Sequence, residues 1–264
     1  MRKSGTRSSI LHRLAQALCL VLAGSIVSDA DDNPPQTTYV IGVENIMHLP
    51  YYGICDTGYC GFGRDLLDAF AAAQGVEVQY RPLPIPRLHR ALASGLIDAK
   101  FPANPDWAQS TKGNAPILYS DPVVLFTDGF LTLPEHRGAP EKVGTMRGFT
   151  IDMSVLGNTH VKLFEANAEA DLFNLLVRGR VDTIYTNINV MRAYMRREGI
   201  PVETIVFRRD LPFQNSQYFL STTTKPLMID AFNRWLEAAF DEIQVLKKKH
   251  HISEMEVISS IPLR

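Results

Sequence analysis

"LASGLIDA" (Leu92–Ala99) and "LVRGRVDT" (Leu176–Thr183) follow one design eighty-four positions apart. Each reads as a helix end, a glycine, one residue, an aliphatic strand residue and an aspartate. The glycine supplies the left-handed turn that ends a helix, and the aliphatic run that follows suits a buried strand. Strand, loop and helix precede each copy: "YVIGVE" (Tyr39–Glu44) opens the first and "EKVGTMRGFT" (Glu141–Thr150) the second. Between them, "GRDLLDAFAAAQG" places Leu66, Leu67, Phe70 and Ala73 on one helical face and ends at Gly75, and "VEVQYR" (Val76–Arg81) alternates as a strand. Alternating strands and helices imply mainly parallel sheets covered by helices. The repetition implies two such α/β lobes rather than one long sheet.

The first thirty residues read as a leader. Arg2, Lys3, Arg7 and Arg13 precede an apolar run from Leu14 to Val27, and Ser28 and Ala30 suit cleavage before Asp31. Such a run is too short to span a bilayer, so a secretory signal is expected. With four basic residues and one acidic residue removed, the formal charge of −1 becomes −4. The only block of basic residues is "KKKHH" (Lys247–His251), at a helix end where cations suit the dipole. Nucleic acid and anionic membrane surfaces are therefore excluded as main partners.

Export leaves Cys55 and Cys60, five positions apart, in an oxidising space. A dithiol catalyst usually has C-x-x-C, and a metal site needs more ligands than His48 could add, so a disulfide is expected and no metal. The ring it closes is small, and its role would be to hold the loop around Tyr51 in one shape.

One long helix is expected over Leu227–His250. Its face of Met228, Phe232, Trp235, Leu236, Ala239, Phe240 and Ile243 is too apolar for solvent. Packing it on the first lobe makes the chain cross between lobes twice, near Asp128–Leu133 and near Gln217–Thr222. Two crossings form a hinge beside a cleft suited to small ligands. The expected organisation is a leader at 1–30, one lobe from 38–128 plus 222–264, and a second from 129–221.

Taken together, "YVIGVENIMHLPYYG", "GFGRDLLDAFAAAQGVEVQYRPLPIPR", "ALASGLIDA", "ILYSDPVV", "KVGTMRGFT" and "LLVRGRVDT" resemble, in order and spacing, the extracytoplasmic solute-binding proteins of polar amino-acid ABC importers (family 3). The resemblance runs through most of the mature chain. It implies a type II periplasmic-binding-protein fold with two hinge crossings, a periplasmic monomer, no cofactor, and two partners: a small solute and a membrane permease. Ligands of such α/β lobes sit beyond the carboxyl ends of strands. The loops there are 48–52, 104–107, 147–150 and 186–189. The ligand-binding candidates are His48, Tyr51, Arg87, Asn104, Trp107, Lys112, Arg147, Gly148, Thr150 and Asn187.

Two departures bear on the solute. Where relatives carry an arginine that clamps a carboxylate, this chain has Ser110, with Lys112 the nearest cation. A lysine lacks the planar fork. Where relatives hold an α-ammonium with an aspartate, this chain has Asn187. Without that charge a buried ammonium is disfavoured. Arg87, Arg147 and Lys112 would then suit an anionic or neutral polar solute, with an aromatic part on Tyr51 or Trp107. The alternatives on this fold are a sensor or accessory protein and a dehydratase-like enzyme using His48, Asp106 or Glu44. The expectation is a binding protein, not an enzyme.

Overall fold

The structure is a computed structural model describing residues 37–149 and 161–254. The expected leader at 1–30, the candidate Thr150 and the last ten residues lie outside the described residues. No helix among the described residues is long and apolar enough to cross a membrane.

The first half is built from β1 (Thr38–Glu44), a hairpin of β2 (Gly53–Cys55) and β3 (Gly58–Cys60), α1 (Phe62–Gln74), β4 (Glu77–Leu83), α2 (Ile85–Ala93) and β5 (Ala99–Ala103). A one-turn helix α3 (Gln109–Lys112) and the short β6 (Leu118–Tyr119) follow. Strands β4, β1 and β5 lie side by side and parallel. β4 is the edge strand, where Pro82 costs no ladder bond. The second half holds β8 (Lys142–Met146), β9 (Lys162–Ala166), α4 (Glu169–Val177), β10 (Thr183–Asn187), α5 (Ile188–Arg197) and β11 (Val206–Phe207). Its strands β9, β8 and β10 repeat the parallel order of β4, β1 and β5. Every residue of β5 and β10 is buried, as parallel strands covered on both faces require.

The two repeated octapeptides do the same job. Gly95 (φ 70°) and Gly179 (φ 63°) close α2 and α4 in the left-handed region. The Asp98 amide donates to the Val40 carbonyl at 2.9 Å, and its carboxylate accepts from the Val40 amide at 2.8 Å. Asp182 does the same with Lys142, its amide donating at 2.9 Å and its carboxylate accepting at 2.8 Å. Each aspartate therefore extends the ladder of its lobe's first strand with a side chain.

Two long strands, β7 (Val124–Thr132) and β12 (Gln214–Thr222), run antiparallel through the middle of the sheet. β12 pairs with β7 over Gln214–Tyr218 and with β5 and β6 beyond it. β7 leaves the first core at Val124 and Phe126 and enters the second at Leu131. These are the two crossings.

The C-terminal apolar run forms two helices rather than one: α6 (Pro226–Ala238) and α7 (Phe240–Lys249), broken at Ala239. The apolar stripe keeps its phase across the break: Met228, Phe232, Trp235 and Ile243 are buried, while Phe240 falls off that stripe and is exposed. Those four join Phe62, Leu66, Leu67 and Phe70 of α1 in one cluster. Ala73, expected on the buried face of α1, lies in its last turn and is exposed.

Candidate functional site

A cleft opens beside β7 and β12, its empty space about 440 Å³ with the mouth included. Its lining comes from both halves. The first contributes Glu44, His48, Tyr52, Ile85, His89 and Trp107; the second contributes Gly148 and Phe149; the crossing strands add Phe126, Asp128 and Tyr218.

The wall nearest β1 is made by a tight loop. The His48 amide donates to the Tyr52 carbonyl at 2.8 Å, and the His48 carbonyl accepts from the amides of Tyr51 and Tyr52. The amides of Phe62 and Gly63, at the start of α1, donate back to the carbonyls of Pro50 and Tyr51. Cys55 and Cys60 form a disulfide across the β2–β3 hairpin that separates this loop from α1.

Glu44 ends β1 as a buried carboxylate. It accepts from the Tyr52 hydroxyl at 2.8 Å and pairs with Lys100 Nζ at 3.4 Å. Lys100 also donates to the Pro102 carbonyl and lies 5.5 Å from the centre of the Trp107 ring. Burial pushes the Lys100 ammonium down, and Glu44 works against that push. Tyr218 occupies the centre. Its ring stacks on Phe126 at 4.3 Å and meets Trp107 at 5.8 Å, and its hydroxyl is 3.2 Å from His48 Nε2.

Burial sets the remaining charges. His48 and His89 are both pushed down to about 3 by burial, so both are neutral near pH 7. The nearby ammoniums of Lys100 and Lys112 add to the effect on His89. His48 Nδ1 has no hydrogen-bond partner among the described residues. Asp128, half-buried, is pushed up to about 7 by burial, against the Asn187 amide that donates to it at 3.1 Å.

These shifts predict a pH dependence. Each histidine binds a proton below pH 6.5 when unfolded but only near pH 3 when folded, so stability falls as pH drops between those values. Asp128 acts oppositely, since the folded state keeps its proton up to about pH 7. His89→Gln should flatten the loss of stability between pH 6 and pH 4 by about 1.4 kcal/mol per pH unit, as read from urea midpoints. An unchanged slope would show that His89 is protonated in the folded protein.

The expected ligand candidates are placed as follows. His48, Trp107 and Gly148 line the cleft. Gly148 has φ +83°. Tyr51 is wholly buried behind the lining and accepts a 3.0 Å bond from Asn189 of α5, a link between the halves. Asn187 is the N-cap of α5, its oxygen accepting from the amides of Asn189 and Val190, while its amide reaches Asp128. The Asn104 amide donates to Ser216 Oγ and the Gln217 carbonyl, tying the loop after β5 to β12.

None of the three cations expected for an anionic solute is among the lining residues. Lys112 is turned into protein, donating to the carbonyls of Asn104 and Pro105 and contacting the Tyr119 hydroxyl. Arg147 is exposed and pairs with Glu165 at 3.3 Å. Arg87 is exposed on α2, whereas Ile85 and His89 of the same helix face the cleft. Sequence reasoning missed Lys100, Asp128 and Tyr218. The first two left a trace: a charged residue inside an otherwise apolar strand is rarely buried without a partner or a task.

No known protein-family profile and no curated protein matches this chain. Solved structures do. A mutant of ArgBP from T. maritima is 18% identical, with 82% of this chain and 96% of that one covered at a TM-score of 0.65. An ABC uptake transporter substrate-binding protein from Streptococcus pneumoniae with bound histidine is 16% identical, covering 81% and 92% at 0.65. An ancestral amino acid-binding protein, a precursor of cyclohexadienyl dehydratase, is 21% identical, covering 81% and 95% at 0.61. The chain has the two-lobed α/β fold of these proteins.

Proposed function

We propose that this chain captures a small solute between its lobes and delivers it to an ABC importer, working outside the cytoplasmic membrane. The observation that carries the reading is a cleft lined from both halves and floored by the two crossing strands. A hinge at that place lets a bound solute join the lobes, the usual logic of closure around a ligand. The neighbouring structures support it, since two of the three are substrate- or amino-acid-binding proteins by description and the third is ArgBP. The basic and apolar opening of the sequence supports export. We take the lobes to be 38–128 plus the segment from 222 onward, and 129–221.

A second reading, an enzyme, has one observation in its favour. A carboxyl group held near neutrality in a largely aromatic cleft suits general acid–base work, and one neighbour is a dehydratase precursor. Differential scanning against amino acids, amines, organic acids and sugars separates the two. A captured solute at one hundred times its dissociation constant should stabilise the protein by about 2.7 kcal/mol and be recovered chemically unchanged. Turnover of the stabilising compound would establish the enzyme, and a panel without any stabilising compound would favour a sensor or accessory role.

A further inference from the structure

The cleft has the charge balance of a site for a positively charged solute. Glu44 and Lys100 are already paired with each other. Two helix N-termini near the cleft are occupied from within: the first amides of α1 by the carbonyls of Pro50 and Tyr51, and those of α5 by the Asn187 side chain. Among the described lining residues there is no arginine, and the one carboxylate without a cationic partner in the structure's ion pairs is Asp128. The same cleft is lined by Trp107, Phe126, Phe149 and Tyr218, and aromatic side chains sharing a site with a carboxylate suit organic cations. His48 adds a second, independent mark. Its Nδ1, on a residue that lines the cleft, is buried and has no partner among the described residues, a polar position that a solute N–H or hydroxyl group can satisfy.

We propose that the solute is a small organic cation without a carboxylate, an amine or guanidine whose charge sits on Asp128 and whose body lies among Trp107, Phe126, Phe149 and Tyr218. This rests on the capture reading and names its substrate class. Asp128 thus takes over from the neighbouring strand the negative charge that Asn187, its register partner on β10, does not supply. An α-amino acid is disfavoured because its carboxylate would meet Asp128 and the Glu44 side of the cleft with no free cation among the described lining residues to hold it.

Isothermal titration with matched pairs that differ only by a carboxylate tests this: agmatine against arginine, and phenethylamine against phenylalanine. At least one amine should bind ten or more times tighter than its amino acid. Asp128→Asn should weaken that amine at least tenfold, while Arg87→Ala leaves it within twofold. Affinity for the amine should also rise about tenfold from pH 6 to pH 8, because a protonated Asp128 must lose its proton first. The variant should abolish that rise. Of the other polar groups facing the cleft, His48 and His89 stay neutral over this range, the Tyr52 and Tyr218 hydroxyls are pushed up by burial, and Glu44 faces Lys100, whose ammonium burial pushes down.

Tighter binding of arginine or phenylalanine than of its amine would overturn the inference and leave solute capture standing. So would an Asp128→Asn protein that binds the amine as well as the parent does. The matched pairs need no variant, so the comparison decides even where the variant fails to fold. Binding of none of the four probes, nor of any compound in the wider panel, would overturn the inference and the capture reading together.

Discussion

Lys100→Met should lower the unfolding free energy by about 3–5 kcal/mol, the cost of leaving a buried charge without its partner. Both side chains of the pair are almost wholly buried, Lys100 at 1% exposure and Glu44 at 4%. Methionine fills nearly the same volume, so lost packing contributes little and the effect isolates the charge. What remains for Glu44 is one neutral donor, the Tyr52 hydroxyl. The fall should appear as a melting temperature lower by about 6–20 °C for a chain of this size. Adding Glu44→Gln should restore much of the loss, because the stranded carboxylate is then gone. A Lys100→Met protein as stable as the parent would mean that the lysine is neutral in the fold and that the cleft carries one more negative charge than described.

Phe232→Ala should cost about 3–5 kcal/mol as well, by cavity formation rather than by charge. Phe232 has no exposed surface and meets Phe70 edge-on at 5.0 Å and Trp235 at 5.7 Å. Its size therefore matters to two elements far apart in the chain, α1 and α6. Leu227→Ala, one turn earlier on the exposed side, should change stability by no more than about 0.5 kcal/mol, since Leu227 is 79% exposed. Urea unfolding of both variants gives the comparison. A loss below about 1 kcal/mol for Phe232→Ala would show that the C-terminal helices are not integral to the first core. The link to function is direct: the segment that completes this core returns through β12, one of the two strands beneath the cleft.

Several features were legible in the residues alone because their causes are local. The alternation of strands and helices follows from the period of apolar residues and from glycine at helix ends, and both act within a few positions. The duplicate "GLIDA" and "GRVDT" segments reported two α/β halves for the same reason. What they could not report is that Asp98 and Asp182 bond the first strand of each half, because Val40 and Lys142 lie dozens of residues away. The paired cysteines were readable from spacing and compartment. The break at Ala239 was not, because the apolar periodicity runs through it without interruption.

The cleft itself divides along the same line. His48, Trp107 and Gly148 could be proposed from loops that follow strands, since fold class fixes where such loops gather. Whether a given polar group faces that space or serves the scaffold is settled by neighbours that only folding brings near. Asn187 and Asn104 look alike in sequence; one caps α5 and the other ties β5 to β12. Lys112 looked available and is committed to backbone carbonyls, while Lys100 looked like a strand residue and is the counter-ion of Glu44. Short-range chemistry thus wrote the architecture into the chain. The sign of the charge in the cleft arose from pairings across tens of residues, because a buried ion's state depends on which partner the fold sets beside it.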